Sequence, residues 1–254
     1  STVHMKGRED AEEIRRLLSL CGIRVISMPG GGSNWDDIMD APSASLNIVV
    51  RDELGLSLAK QMEQDFGMPY ISCGLPYGTD GTLAWLSEII EKLGAGELTR
   101  ASHEAAKLKE FLLRKGNNLE SLWGPLWFDA VLISAPPSEA LGIAEAIRSE
   151  WIDTAHLCIH AQCETEKSTP AADAIRVVMK NEKEIAKDYE DWQGGLVLSS
   201  SHETHLLQRM GRSFTGFHIA LPSHDEVHFS DLPQCGLRGA GYLYEQLWNA
   251  KLRK

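Results

Sequence analysis

The chain has 254 residues, a formal charge of −11 at pH 7 and 43% apolar residues. This ordinary globular composition excludes a disordered, collagen-like or coiled-coil chain. The acidic balance argues against binding of duplex nucleic acid, which proteins bind by neutralising phosphates with Lys and Arg. No apolar run approaches the roughly 20 residues of a membrane span, and the N-terminus carries no signal-peptide core. We therefore expect a cytoplasmic protein that binds no membrane.

The chain contains five cysteines, and no two of them form a CxxC pair. An odd number of cysteines without a secretion signal predicts reduced thiols in a cytoplasm. Most of these thiols are expected in the core as small apolar residues. The five are Cys21, Cys73, Cys158, Cys163 and Cys235.

Helical and strand patterns alternate along the chain, and glycines end several of the helical runs. The predicted helices are 9–20, 36–41, 53–66, 82–93, 98–115, 137–150, 173–191, 203–210 and 239–252. The predicted strands are 23–28, 46–50, 69–73, 128–135, 154–161, 195–200 and 217–221.

Continuous apolar strands between helices are typical of parallel sheets covered on both faces. The sequence thus predicts an α/β protein with two Rossmann-like domains, 8–97 and 118–254, the second ending in the terminal helix. Residues 98–117 form a bridging helix and linker, with the linker extending over 116–125. Ligands bind such sheets beyond the carboxyl ends of the strands. This rule selects the loops 29–35, 73–82, 199–205 and 221–236.

A glycine-rich loop, Pro29-Gly30-Gly31-Gly32-Ser33-Asn34, follows the first predicted strand. Its glycines allow backbone N–H groups to approach an anion at a helix N-terminus. The dinucleotide pattern GxGxxG fails because Trp35 stands where its third glycine belongs, and no Walker lysine is present. The alternatives are a ligand loop of another kind and a plain tight turn, and an NAD-dependent enzyme is disfavoured.

Two further sites follow predicted strands of the first domain. Arg51 comes directly after strand 46–50, where it either faces an anionic ligand or is an exposed arginine at a helix start. The loop 74–82 (GLPYGTDGT) has a shape fixed by proline and glycines, and Thr79 or Asp80 is a candidate helix cap.

In the second domain, Ser199-Ser200-Ser201-His202-Glu203 follows a strand. A Ser-His-carboxylate triad is disfavoured because triads are assembled from different loops, and GxSxG is absent. Capping of the next helix by Ser200 or Ser201 is the simpler interpretation.

Histidines and cysteines recur on the predicted strand 154–161. His156, Cys158 and His160 alternate along it, which places them on one face with donor types that suit zinc or iron. Packing beneath a helix is the favoured alternative, and Cys163 follows closely. In the last long loop, His224, Asp225 and His228 either deliver protons or bind a ligand, or they belong to an ordinary surface loop.

Four segments in succession resemble the nitrogenase component 1 superfamily over residues 8–252. They read LNIVVRDELGLSLAKQMEQDFGMPY, GLPYGTDGTLAWLSEIIEKLG, LVLSSSHETHLLQRMG and ALPSHDEVHFSDLPQCGLRGAGYLYEQLWN. The last resembles the β-type subunits, where a proline, an aspartate three residues on and a Gly-x-x-Gly recur; here these are Pro222, Asp225, Gly236 and Gly239. That superfamily includes molybdenum–iron protein subunits, cofactor-assembly scaffolds and tetrapyrrole-reducing relatives.

The resemblance implies a subunit of a reductive complex, with a cofactor or substrate cavity shaped by Rossmann-like domains. The N-terminal domain that carries the cluster cysteines in the family has no counterpart here, so we expect a fragment or a truncated form. Arg51 stands where cofactor-binding α-type subunits have a cysteine, and His224 does not match the spacing of their histidine ligand. Direct ligation of an iron–molybdenum cofactor is therefore disfavoured.

The resemblance also implies partners and cofactors. The partners are a homologous component 1 subunit, in a homo- or heterodimer, and an ATP-dependent iron protein that donates electrons. An iron–sulfur cluster and a metal or tetrapyrrole cofactor are expected only in the complete complex, and the isolated chain is predicted to be inactive. The alternative is a non-catalytic cofactor-assembly scaffold or small-ligand-binding protein. The residues expected to contact a cofactor are Gly30, Gly31, Gly32, Ser33, Arg51, Pro76, Gly78, Thr79, Ser200, Ser201, His202 and His224.

Overall fold

A computed structural model describes residues 5–161, 175–179 and 182–253. The chain divides into two compact units, the first of Ser1–Arg114 with Asp231–Tyr242 and the second of Lys115–Ser230 with Leu243–Lys254. The domain bounds predicted from the sequence stay a prediction. Chain order alone gave no reason to group 231–242 with the first unit. In the part of the chain that the structure describes, no helix is long and apolar enough to cross a membrane.

The first unit has a two-stranded parallel sheet, in which Ile48 pairs with Ile71. The segment 23–28, predicted as a strand, lies outside the helices and strands, so that prediction was wrong. Its apolar residues instead line a cavity, which explains the strand-like pattern. The elements are α1 (Gly7–Leu20), α2 (Trp35–Asp40), a 3₁₀ turn (Ala41–Ser43), β1 (Asn47–Val49), α3 (Asp52–Phe66), β2 (Tyr70–Ser72), α4 (Thr79–Leu93) and the start of α5 (Thr99–Trp123).

The predicted linker at 116–125 was wrong because α5 continues through Gly116 to Trp123. A Cβ at Gly116 would collide with the hydroxyl of Tyr244. This glycine therefore serves close packing between two helices rather than a chain break.

The second unit contains a five-stranded parallel sheet in the order β5-β4-β3-β6-β7. The predicted helix 173–191 was wrong in its first part, since Ile175–Met179 forms a strand beside β4. The β-branched run in IRVVM favours a strand over a helix. The elements are β3 (Trp127–Ala135), α6 (Pro137–Ala146) continued by a π-helical turn (Ile147–Trp151), β4 (Asp153–Ala161), β5 (Ile175–Met179), α7 (Glu182–Glu190), β6 (Leu196–Ser199), α8 (Ser201–Arg209), β7 (Thr215–His218) and α9 (Gly236–Leu252).

The strand order has a topological switch between β3 and β6, because the chain builds outward from β3 in both directions. One face of this sheet packs against α7 and α8. Leu132, Val197, Leu207, Tyr189 and Trp192 form the buried cluster there. The carboxyl ends of β3 and β6 therefore open where ligands bind in doubly wound sheets.

Helix α1 caps the N-terminus of α9 through two buried carboxylates. The Oδ1 of Asp10 accepts hydrogen bonds from the backbone N–H groups of Gln234 (2.7 Å) and Cys235 (3.0 Å). The Oε1 of Glu13 accepts another from Arg238 at 3.2 Å. The first N–H groups of a helix lack acceptors within the helix, and negative charge is favoured beside them. These contacts hold the N-terminus of α9 against α1.

The glycines of the closing motif allow this close approach. Gly236 has φ +74°, and a Cβ there would lie 2.5 Å from the Cγ of Glu13. A Cβ at Gly239 would collide with the backbone carbonyl of Gln234. The Gly-x-x-Gly motif thus has a steric cause in this fold.

Candidate functional site

The first unit contains a cavity of about 720 Å³, lined by the segment 23–28 and by strand β1 among others. That volume lies within the roughly 300–1,000 Å³ typical of small-molecule sites. Much of the wall is apolar. Among the residues that line it are Ile14, Leu18, Ile26, Met28, Leu46, Ile48, Leu58, Met62 and Met68.

Arg51 gives this cavity a positive charge at the carboxyl end of β1. Its side chain lines the cavity and is only 11% exposed, so it is not the exposed helix-start arginine that was one alternative. Its Nη1 lies 3.9 Å from the Oε1 of Glu53. A largely buried guanidinium beside an apolar wall suits a ligand that combines an apolar body with an anionic group.

The glycine-rich loop borders the same cavity through Pro29 and Gly31. The hydroxyl of Ser33 accepts a hydrogen bond from the N–H of Met28 at 2.7 Å, which closes the turn. Gly30 and Gly32 have φ values of +74° and +94°, where a side chain would be strained. Asn34 then caps α2 in a capping box with Asp37. Most of this loop is a tight turn that presents Gly31 to the cavity.

The carbonyl groups of two predicted contacts, Pro76 and Gly78, accept hydrogen bonds from helical residues, and Thr79 is the first residue of α4. The carbonyl of Pro76 accepts a hydrogen bond from the N–H of Gly236, and the carbonyl of Gly78 accepts one from the hydroxyl of Thr82. Gly78 is the N-cap of α4 without a side-chain cap, so the predicted capping by Thr79 or Asp80 was wrong. The carboxylate of Asp80 instead pairs with Lys109 at 2.6 Å.

At the switch point of the second unit, the carboxylate of Glu203 accepts three hydrogen bonds. The donors are the N–H of Ser200 (3.1 Å), its hydroxyl (2.5 Å) and the hydroxyl of Ser134 (3.3 Å). The predicted capping of α8 by Ser200 is confirmed as a capping box. An anion at this helix N-terminus would have to displace the carboxylate of Glu203.

Ser201, His202 and His224 lie at the same edge of the sheet, but they are not arranged as a reactive group. The hydroxyl of Ser201 donates to the carbonyl of Pro222 at 2.7 Å and accepts from the N–H of His224 at 3.2 Å. The side chains of His202 and His224 are exposed. The peptide bond before Pro222 is cis.

Sequence reasoning missed a histidine at the end of β7. His218 is buried, its Nδ1 lies 2.8 Å from the hydroxyl of Ser223, and its Nε2 lies 3.3 Å from that of Thr204. The hydroxyl of Ser223 also lies 3.2 Å from the Nε2 of His228, and Glu226 lies 3.7 Å from the same nitrogen. The signal for His218 was its position at the end of a strand, since polar side chains there face the ligand edge of the sheet.

The histidine and cysteine pattern on β4 is only partly brought together. Cys158 and His160 meet Asp188, which α7 contributes, and the donor atoms of all three lie within 4.8 Å of one another. His156 lines a neighbouring cavity but is outside this group. Cys163 lies outside the described residues.

The fold and its ligand edges define an α/β protein with parallel sheets flanked by helices and Rossmann-like topology, as the sequence predicted. Comparison with known families then gives its membership. The chain belongs to the nitrogenase component 1 type oxidoreductases, whose family model matches residues 3–252.

Two relatives agree with this membership, and one solved structure shares the fold. The chain is 25% identical over 262 residues to the B subunit of the light-independent protochlorophyllide reductase of Prosthecochloris aestuarii (strain DSM 271 / SK 413), covering 96% of the chain and 48% of that protein. It is 36% identical over 108 residues to the nitrogenase iron-molybdenum cofactor biosynthesis protein NifE of Clostridium pasteurianum, covering 42% of the chain and 22% of that protein. The structure described as nitrogenase Cp1 at pH 6.5 has a TM-score of 0.71 at 16% identity, covering 97% of this chain and 58% of that one. The chain thus spans about half the length of the reductase relative that it matches from end to end.

Proposed function

We propose that this chain is the ligand-enclosing part of a component 1-type oxidoreductase subunit and that its cavity holds an apolar, anionic substrate or cofactor. The observation that carries the proposal is the buried Arg51 in the wall of the 720 Å³ cavity. The similarity to one subunit of a protochlorophyllide reductase supports a tetrapyrrole with a carboxylate group as the class of ligand. In this role the protein supplies shape and charge, and the bound group supplies the reductive chemistry.

The chemistry of the described thiols supports a redox centre outside this part of the subunit. An iron–sulfur cluster is bound by several cysteine thiolates that lie close together. Among the described residues, the groups of three or more His, Cys, Asp or Glu donor atoms within 4.8 Å of one another include none of Cys21, Cys73 and Cys235. These three thiols therefore do not form a ligand set for a cluster.

The partners we propose follow from family membership. A homologous component 1 subunit would complete the complex, and an ATP-dependent iron protein would deliver electrons in a cytoplasmic setting. The acidic chain would not bind nucleic acid, because its formal charge of −11 repels phosphates.

To test the cavity, the 254-residue chain is titrated with protochlorophyllide, and binding is monitored by the quenching of tryptophan fluorescence. Arg51→Gln should weaken binding by about tenfold or more, because a buried charge-assisted pair is lost. Arg24→Gln is the matched control, since Arg24 lines the same cavity but is exposed. Equal binding by both variants and the unaltered chain would exclude Arg51 as the anion contact.

The test of the missing redox centre compares this chain with the complete natural gene product, both prepared anaerobically. We expect iron and acid-labile sulfide only in the longer protein. Stoichiometric iron and sulfide in the 254-residue chain would overturn the assignment.

A cofactor-assembly scaffold is the second candidate, and the 108-residue match to NifE favours it. A scaffold would bind a metal cluster and release it to an acceptor protein without reducing a tetrapyrrole. Reduction of protochlorophyllide by the complete complex with its iron protein distinguishes the two functions.

A further inference from the structure

Three side chains of types that bind metal ions meet in the second unit, far along the chain from Arg51. Cys158 and His160 are two residues apart on β4, so both face the same side of the sheet. Helix α7 packs over that side and contributes Asp188. The side chain of His160 is fully buried, whereas that of Asp188 is 19% exposed.

The three donor atoms converge on one point. The Sγ of Cys158 lies 3.4 Å from the Nε2 of His160 and 3.5 Å from the Oδ2 of Asp188, and those last two atoms are 3.0 Å apart. A tetrahedral zinc ion with ordinary bond lengths separates S from N by about 3.5 Å, S from O by about 3.5 Å and N from O by about 3.3 Å. The observed triangle therefore needs adjustment of only a few tenths of an ångström to bind the ion.

A catalytic relay does not explain this arrangement. In a nucleophile–histidine–aspartate relay, the two partners contact opposite nitrogens of the imidazole ring. Here the same Nε2 faces both the thiol and the carboxylate. Such convergence is what shared ligation requires.

The other ring nitrogen of His160 faces an oxygen atom, as the second ring nitrogen of a metal-bound histidine usually does. Its Nδ1 lies 3.4 Å from the hydroxyl of Tyr189, and the two rings meet edge to face at 5.3 Å. An oxygen at Nδ1 fixes the ring in an orientation that directs Nε2 towards an ion.

Cys158 and Asp188 also line a cavity of about 590 Å³, together with His156, Asp129 and Asp191. This cavity gives an ion a route in and room for a water molecule as fourth ligand, and its carboxylates attract cations. We propose that Cys158, His160 and Asp188 bind one zinc-class divalent cation, with the fourth position open to this cavity. The thiol and the imidazole favour zinc over magnesium or calcium.

A second group of donors provides the control. His218, Glu226 and His228 also lie within 4.8 Å of one another. The hydroxyl of Ser223 lies between the two rings, 2.8 Å from one and 3.2 Å from the other, so a protein hydroxyl already occupies the space between their nitrogens. His228→Gln should therefore leave binding of the metal unchanged.

The test uses the whole 254-residue chain, stripped with a chelator and titrated with zinc alone, with bound metal measured by equilibrium dialysis. We expect one zinc per chain, and a rise in Tm of about 5–10 °C at a hundredfold excess over Kd. Asp188→Asn and Cys158→Ser should weaken binding at least tenfold. Tyr189→Phe should weaken it about tenfold, as loss of an outer hydrogen bond to a ligand does.

Cobalt substitution gives a spectroscopic readout of metal binding by the unaltered chain. Tetrahedral Co²⁺ with a cysteine ligand should give intense visible bands and a thiolate charge-transfer band, and Cys158→Ser should abolish the latter. The proposal is overturned if the chain binds no stoichiometric zinc, or if cobalt gives no thiolate band. It is equally overturned if Asp188→Asn binds like the unaltered chain, or if His228→Gln loses the metal.

Discussion

The carboxylate of Asp10 should be worth several kcal/mol to the fold. Asp10→Ala removes the acceptor of two buried N–H groups, those of Gln234 and Cys235. Each buried N–H left without an acceptor costs about 1–3 kcal/mol, so we expect a loss of about 4 kcal/mol. For a chain of this size, that lowers Tm by about 10 °C.

The assay is urea unfolding, with amide hydrogen exchange at Gln234 and Cys235 as the local readout. Asp10→Asn should lose about 1 kcal/mol, because its carbonyl oxygen still accepts. Asp37→Ala is the control, since the carboxylate of Asp37 makes its hydrogen bond at the surface, in the capping box of α2, and is worth at most about 1 kcal/mol. If Asp10→Ala is no less stable than the control, the capping of α9 by α1 is refuted.

Three further changes follow from named contacts. Gly239→Ala should destabilise the chain by more than about 2 kcal/mol in urea unfolding, because its Cβ would collide with the backbone. Gly241→Ala is the control, because its Cβ would lie 3.7 Å from Leu108, and it should be neutral or stabilising by up to about 1 kcal/mol. Equal effects of the two substitutions would contradict this steric argument. Glu203→Ala should cost about 1–2 kcal/mol by loss of the α8 capping box, and an unchanged urea midpoint would exclude that role. Burial and nearby carboxylates raise the pKa of Cys73 to about 12. Alkylation of the native chain by iodoacetamide at pH 8 should therefore be at least about tenfold slower than in the unfolded chain, because the lower thiolate fraction outweighs the greater nucleophilicity of each thiolate. The same raised pKa gives stability that is present below about pH 9 and lost as the pH rises towards 12, and Cys73→Ala should remove that part of the pH dependence.

The sequence predicted the fold best where hydrogen bonding and burial act together. The apolar run that became β3 is a strand whose carboxyl half is buried on both faces. The strand prediction failed at 23–28, where an apolar segment lines a cavity instead of pairing with another strand. The linker prediction also failed at Gly116, because a glycine breaks a helix or permits close packing according to a partner, Tyr244, that lies 128 residues away.

The candidate site was predicted less well, since local pattern identifies strand ends but not the side chains that meet there. Arg51 was found because it follows a strand directly. Asp188 was missed because it lies on a helix 28 residues after His160 and has no motif of its own. Alternation along β4 predicted that Cys158 and His160 share a face, and only the packing of α7 supplied the third ligand.

In this chain, the residues that carry the family resemblance differ from the residue that gives the cavity its charge. Pro76, Gly78, Gly236 and Gly239 carry much of the family resemblance, yet their contacts hold α4 and α9 in place. The backbone geometry requires glycine or proline at such positions, and this requirement is the same whichever ligand is bound. Arg51 lies instead in the wall of a cavity, where a different side chain would change the ligand without disturbing the backbone. The contacts that carry the family resemblance therefore do not identify the ligand of this chain, and binding experiments at the cavity wall are the ones that would.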